Sequence, residues 1–147
     1  MSGRLDYWKI APEAMRQMIG VNAYLKGSAI EPSLRHIVWL RTSQINGCAY
    51  CVDLHTHEAL ADGERPQRLH CLVTWPETAL FSARERAALA WAEALTLIST
   101  SHAPEEIYGL VRQHFNDKDL VDLTLMIATM NASNRMAIGF RRPPALR

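Results

Sequence analysis

Cys48, Cys51 and His55 stand at offsets of zero, three and seven within Leu40 to Ala59, LRTSQINGCAYCVDLHTHEA. On a helix begun after the Asn46-Gly47 break, each residue turns by about 100°, so the three side chains share an arc of roughly 60°. Two thiols and a base on one face are the parts of a thiol redox site. A free thiol with a pKa of about 8.5 is only a few per cent ionised at neutral pH, and ionisation makes it a strong nucleophile. Two activating causes are legible. A helix N-terminus lends partial positive charge to Cys48 and Cys51, and His55, four residues after Cys51, is close enough to accept its proton. The Cys48 to Cys51 spacing allows a disulfide with little rearrangement, so an oxidised sulfur at one position can be resolved by the other.

Other readings of these residues stay open. Both cysteines can be small buried hydrophobes with His55 incidental to them. Cys48, Cys51, His55 and His57 also number four zinc ligands. His57, however, falls about 160° round the helix from His55, so the four converge only if the segment is irregular. The sequence reading therefore assigns no metal and no cofactor. Around the motif, Tyr50 is a candidate for contact with substrate or partner. Trp75 and Trp91 are candidates for an apolar entrance, although tryptophans on helix faces are more often core. Asn131, Asn134 and Arg135 read as structural hydrogen-bonding groups. Cys71, with no base or second thiol nearby, reads as an inert core thiol.

The elements that must position these groups are helices, and the expected class is all-α, a single domain over residues 1–147 with about six to seven helices. Pro12 opens a first helix to about Lys26, with Met15, Ile19, Asn22 and Leu25 along one side. Pro32 opens a second, whose Leu34, Ile37, Val38, Leu40 and Ile45 face a core and which Asn46-Gly47 stops or bends. The third starts at the cysteines and ends near Asp62-Gly63. Pro66 begins a short segment before Trp75-Pro76. Ser82 and Glu85 have capping-box spacing, and Ala88, Trp91, Ala92, Leu95 and Ile98 continue that helix. Pro104, Glu105 and Glu106 make a first turn, followed by Ile107, Leu110, Val111 and Phe115. The last helix begins at Asp117 and is apolar on most sides from Leu120 to Met130. Such a helix must be covered all round, within the domain or by another subunit. The segment from Arg141 to Arg147 is expected to fray.

At 147 residues the chain is long enough to bury a sizeable core without disulfides or metal. Sixteen basic against fifteen acidic residues give a net charge of +1, which offers no electrostatic footprint for nucleic acid or an anionic membrane. The charged N-terminus MSGRLDYWKI lacks the apolar core of a secretory signal, and no apolar run approaches a transmembrane length of about 18 residues. Three cysteines, an odd number, fit a reducing compartment, and the expected location is cytoplasmic.

The run SQINGCAYCVDLHTHEA resembles the core motif of the AhpD-like alkylhydroperoxidase family, within the carboxymuconolactone decarboxylase superfamily. The resemblance is specific from Ile45 to His55 and extends more weakly through Ser82 to Ile98 and the Asn131-x-x-Asn134-Arg135 pattern. It implies an all-helical, oligomeric protein, a trimer or hexamer. It also implies that Cys51 is oxidised by peroxide, that Cys48 resolves it, and that His55 belongs to a proton relay. The family's relay glutamate falls twelve residues before the first cysteine, where this chain has His36. His36, as an imidazole, is a possible proton carrier, and Glu58, three residues after His55, can supply the missing carboxylate from the same face. The expected activity is a thiol-dependent peroxidase for hydrogen or organic peroxides, re-reduced by a lipoyl or thioredoxin-like dithiol protein. A thiol-disulfide adaptor is the alternative. A lactone-acid decarboxylase is a lesser one, since that chemistry does not require the cysteine pair.

Overall fold

Turn residues set where each helix begins and ends. In the computed structural model, which describes residues 3–146, α1 (Tyr7–Ile10) is a single turn capped by Asp6, whose carboxylate accepts the Lys9 N–H. α2 (Pro12–Lys26) and α3 (Pro32–Asn46) each open on a proline, which has no N–H to leave unpaired there. α3 stops at Gly47, whose φ of 69° is left-handed. The Gly47 N–H donates to the Gln44 carbonyl and the Cys48 N–H to that of Ser43, the pair of bonds that closes a Schellman turn. That turn delivers Cys48 as the N-cap of α4 (Ala49–Ala61).

α5 (Pro66–Cys71) runs into a 3-10 segment (Leu72–Glu77), and α6 (Ala83–Thr96) starts with both arms of the Ser82–Glu85 capping box formed. α7 (Ile98–Ser101), α8 (Glu105–Arg112) and α9 (Asp117–Gly139) complete the order; Asn116 caps α9 by accepting the Asp119 N–H at 2.8 Å. No strand occurs among the described residues. α3 lies at the centre, packed against α4, α6 and α9, with Leu34, Ile37, Val38 and Leu40 removed from solvent. Burying each such side chain stabilises the fold by about 1.5–3 kcal/mol, so the helix that ends at the cysteines is also the best anchored.

The all-α class stands, with nine α-helices among the described residues rather than six to seven. The additions are short. α1 has no long apolar period to announce it. Leu97, at ψ 32°, ends α6 and leaves Ile98, 53% exposed, in a separate turn of poor helix formers. Ile19 and Leu110 also face solvent rather than the core. Cys71 is partly exposed, not a core thiol, because Leu69 and Leu72 take the inward positions as α5 tightens into the 3-10 segment. Arg142 is anchored rather than frayed: its N–H donates to the Ala137 carbonyl at 2.9 Å, and the Arg4 N–H donates to that of Phe140 at 2.9 Å. Arg147 lies outside the described residues. Within the chain α9 is not covered all round, since Val121 and Leu125 remain exposed, which leaves the second arm of that expectation, another subunit.

Candidate functional site

Cys48 and Cys51 are joined in a disulfide with their Cα atoms 5.3 Å apart. The Cys51 N–H donates to Cys48 Sγ at 3.3 Å, so a sulfur occupies the place of an ordinary N-cap oxygen. Beneath this loop the Asn46 amide donates to Asn131 Oδ1 at 3.0 Å and Asn134 Oδ1 at 2.9 Å, and the Asn134 amide donates to Ser43 Oγ at 3.0 Å. Arg135 donates in turn to Asn131. The asparagines thus tie the end of α3 to α9, and every bond of this kind inside a low-dielectric interior is costly to leave unmade.

One turn into α4, His55 is buried, with its ring centroid 5.3 Å from that of Trp39 and its Nδ1 2.9 Å from Glu58 Oε2. A proton on Nδ1 shared with Glu58 leaves the Nε2 lone pair as the base. That hydrogen bond from His55 holds the Glu58 carboxyl below its ordinary range; burial opposes the shift, and the charges of His55, Lys26 and His36 add to it. His36 goes elsewhere: its Nε2 is 2.7 Å from Asp62 Oδ2 at the end of α4, and it makes no hydrogen bond to His55. Arg35, beside it, packs over the Trp39 ring, its pKa lowered by burial and supported by the charges of Asp62 and Glu58. His57 is exposed, away from the cysteines.

A cavity of about 470 Å³ opens along this face of α4, lined there by Tyr50, Cys51, Leu54, His55 and Glu58. Met15, Met18 and Asn22 of α2 form a second wall, Met130 and Met136 of α9 a third, and Tyr7, Trp8, Trp39 and Arg142 complete it. Cys51 lines the cavity and Cys48 does not, although both are nearly inaccessible, at 3% and 1% exposed. The structure therefore brings Cys51, His55, Glu58 and Tyr50 to one space and sets His36 apart from it. Trp75 and Trp91 are not at this entrance: Trp75 donates to Glu93 at 2.7 Å and Trp91 to Thr124 at 3.0 Å, both within the packing around α6. Of the aromatics that do line the cavity, Tyr50 was a candidate from the sequence, and Tyr7, Trp8 and Trp39 were not. Of those three, Trp39, four residues before Ser43 on the helix leading to the motif, lay nearest a readable signal.

A helical bundle that presents a Cys-x-x-Cys pair at a helix N-terminus, with a histidine one turn on, defines an AhpD-like protein. Residues 12–94, from α2 through most of α6, match the carboxymuconolactone decarboxylase family, and the chain belongs to that family. The uncharacterised protein YdfG of Bacillus subtilis is 43% identical over 94% of both chains. A structure from Agrobacterium tumefaciens, of a protein of unknown function whose suggested role is antioxidant defence as AhpD, superposes with a TM-score of 0.96 at 36% identity, covering 99% of this chain and all of that one. An uncharacterised peroxidase-related protein of Ralstonia eutropha, with an alkylhydroperoxidase AhpD core, gives 0.81 at 25% identity over 94% of this chain and 74% of its own.

Proposed function

We propose that the chain is a thiol peroxidase whose Cys48–Cys51 pair cycles between dithiol and disulfide. The observation that carries this reading is that Cys51, alone of the two sulfurs, lines the cavity that also holds the His55–Glu58 pair. In the reduced protein, His55 Nε2 takes the Cys51 proton. The thiolate attacks a peroxide oxygen, the O–O bond breaks, and the departing alkoxide or hydroxide leaves as alcohol or water with the proton from His55. Cys51 is then a sulfenic acid. Cys48, one helical turn away, displaces its hydroxyl as water and forms the disulfide. An external dithiol, of lipoyl or thioredoxin-like type, restores both thiols by exchange, a cycle suited to a reducing compartment such as the cytoplasm.

Because Cys51 is reached only through the cavity, a peroxide small enough to enter it is favoured over a protein disulfide as the oxidant, which supports peroxidase over the redox-adaptor reading, and a slender dithiol such as a lipoyl arm suits re-reduction by the same route. A homo-oligomer, trimer or hexamer, belongs to the same proposal and is supported by the bare apolar stripe on α9. Among the described residues no helix is long and apolar enough to cross a membrane.

With one equivalent of peroxide, reduced Cys48→Ser protein is expected to accumulate a sulfenic acid on Cys51 that dimedone traps and mass spectrometry locates. Cys51→Ser protein is expected to lose turnover by at least about a hundredfold. Peroxide consumption by Cys51→Ser at the wild-type rate rejects the assignment.

A further inference from the structure

Among the described residues Arg142 stands in the cavity without an ion pair. Its guanidinium carbon lies 4.0 Å from the Tyr50 ring centroid, 5.4 Å from that of Trp8 and 5.9 Å from that of Tyr7. Its one described side-chain hydrogen bond is a long one, from Nη1 to Tyr7 Oη at 3.4 Å. Among the described residues it forms no ion pair, although the side chain is partly buried and lines the cavity. A guanidinium carries five N–H donors, and withdrawing it from water is unfavourable unless an anion or good acceptors replace the lost solvent. Two other charged residues line the cavity, Glu58 and Lys26. Glu58 bonds His55, and Lys26 lies close enough to Glu58 to help lower its pKa.

Position along α4 matters as much as charge. Tyr50 adjoins Cys51, whereas Glu58 lies eight residues on, about 12 Å along the helix axis. Arg142 is therefore at the sulfur's end of the cavity, about two turns of α4 from Glu58, the carboxylate that lines it. Met15, Leu54 and Met130 supply apolar wall between the two ends. The space, about 470 Å³, is far larger than hydrogen peroxide needs and falls in the range of organic-ligand pockets.

We infer that the cavity selects organic hydroperoxides carrying a carboxylate, with Arg142 as the residue that binds the carboxylate and the apolar walls holding the carbon body beside Cys51. This rests on the peroxidase reading for its chemistry, but the anion site can be measured without turnover. The guanidinium meets a carboxylate in a two-pronged, charge-assisted bond, which a methyl ester cannot reproduce.

The test uses 4-carboxycumene hydroperoxide and its methyl ester as substrates. Their product alcohols, also as acid and ester, serve as non-reacting ligands for calorimetry on the disulfide form. Wild-type protein is expected to favour the acid over the ester by at least about tenfold in both binding and Cys51 oxidation, an advantage that shrinks as salt rises. Arg142→Gln should bring the acid-to-ester ratio close to one, and Arg142→Lys should restore part of it. The ratio is internal to each variant, so general damage to the fold, which weakens both ligands, does not mimic the result. Equal acid and ester binding by the wild type, or a preference that survives Arg142→Gln, overturns the inference and leaves Arg142 a tether between Tyr50 and α1. If no peroxide oxidises Cys51, the peroxidase reading fails, and the binding comparison still decides whether the carboxylate site exists.

Discussion

At 2.9 Å from His55 Nδ1, Glu58 is held below the usual carboxylate range by that hydrogen bond, against the opposing effect of burial. The depressed value means that the pairing stabilises the folded chain fully above about pH 4.3 and is lost as pH falls through the folded pKa. In the proposed cycle the same carboxylate orients His55 and offsets the positive charge that forms on it when it takes the Cys51 proton. Glu58→Gln keeps the shape and removes the charge. It is expected to slow Cys51 oxidation by about tenfold and to move the midpoint of its pH dependence upward, read by stopped-flow fluorescence from pH 5 to about 9. His36→Ala breaks the contact with Asp62 and removes only the smallest of the charges that lower the Glu58 carboxyl, so it is expected to leave that midpoint nearly in place. The opposite pattern would return the relay to His36.

The turn between α3 and α4 joins the most buried helix to the one that carries the chemistry, and it does so through one left-handed residue. A Cβ at Gly47 would meet nothing within 4 Å, so a substitution there is strained by its φ of 69° rather than by a clash. Gly47→Ala is accordingly expected to cost about 1–2 kcal/mol and to lower the melting temperature by about 2–6 °C in calorimetry. The loss should appear in both the reduced and oxidised protein, because the Schellman bonds do not involve the sulfurs. A melting temperature equal to wild type would mean that the turn relaxes without strain. Gly47, the Ser82 and Asn116 caps and the helix-opening prolines are all short-range signals, which is why element boundaries were largely legible before any contact was known.

At the scale of the whole molecule, the outer side of α9 is an apolar surface left open within the chain. Val121 is 63% exposed and Leu125 37%, and Ala128 and Ala132 follow them at intervals of three and four residues. These positions form a continuous apolar stripe, and the small alanines allow another helix to approach closely. The proposed oligomer covers this face. Analytical ultracentrifugation is expected to show an assembly at micromolar concentration, and Val121→Glu with Leu125→Glu should weaken it by about a hundredfold or more, since burying two unpaired carboxylates opposes association. A monomeric wild-type chain at that concentration would remove α9 from any such interface.

The sequence by itself determined the all-α class, most helix ends, and the placing of Cys51 and His55 one turn apart on one helix, because each depends on periodicity or caps within a few residues of chain. Glu58 was legible as a candidate for the same reason, lying three residues from His55. Only the tertiary structure separated Glu58 from His36, since Asp62, the residue that holds His36, is 26 positions away from it. It also put Cys51 rather than Cys48 on the cavity and moved the aromatic lining from Trp75 and Trp91 to Tyr7, Trp8 and Trp39. Arg142 reaches Tyr7 across 135 residues of sequence. No local pattern encodes such a contact; it exists only once α1 and the end of α9 have packed over the same face of α4.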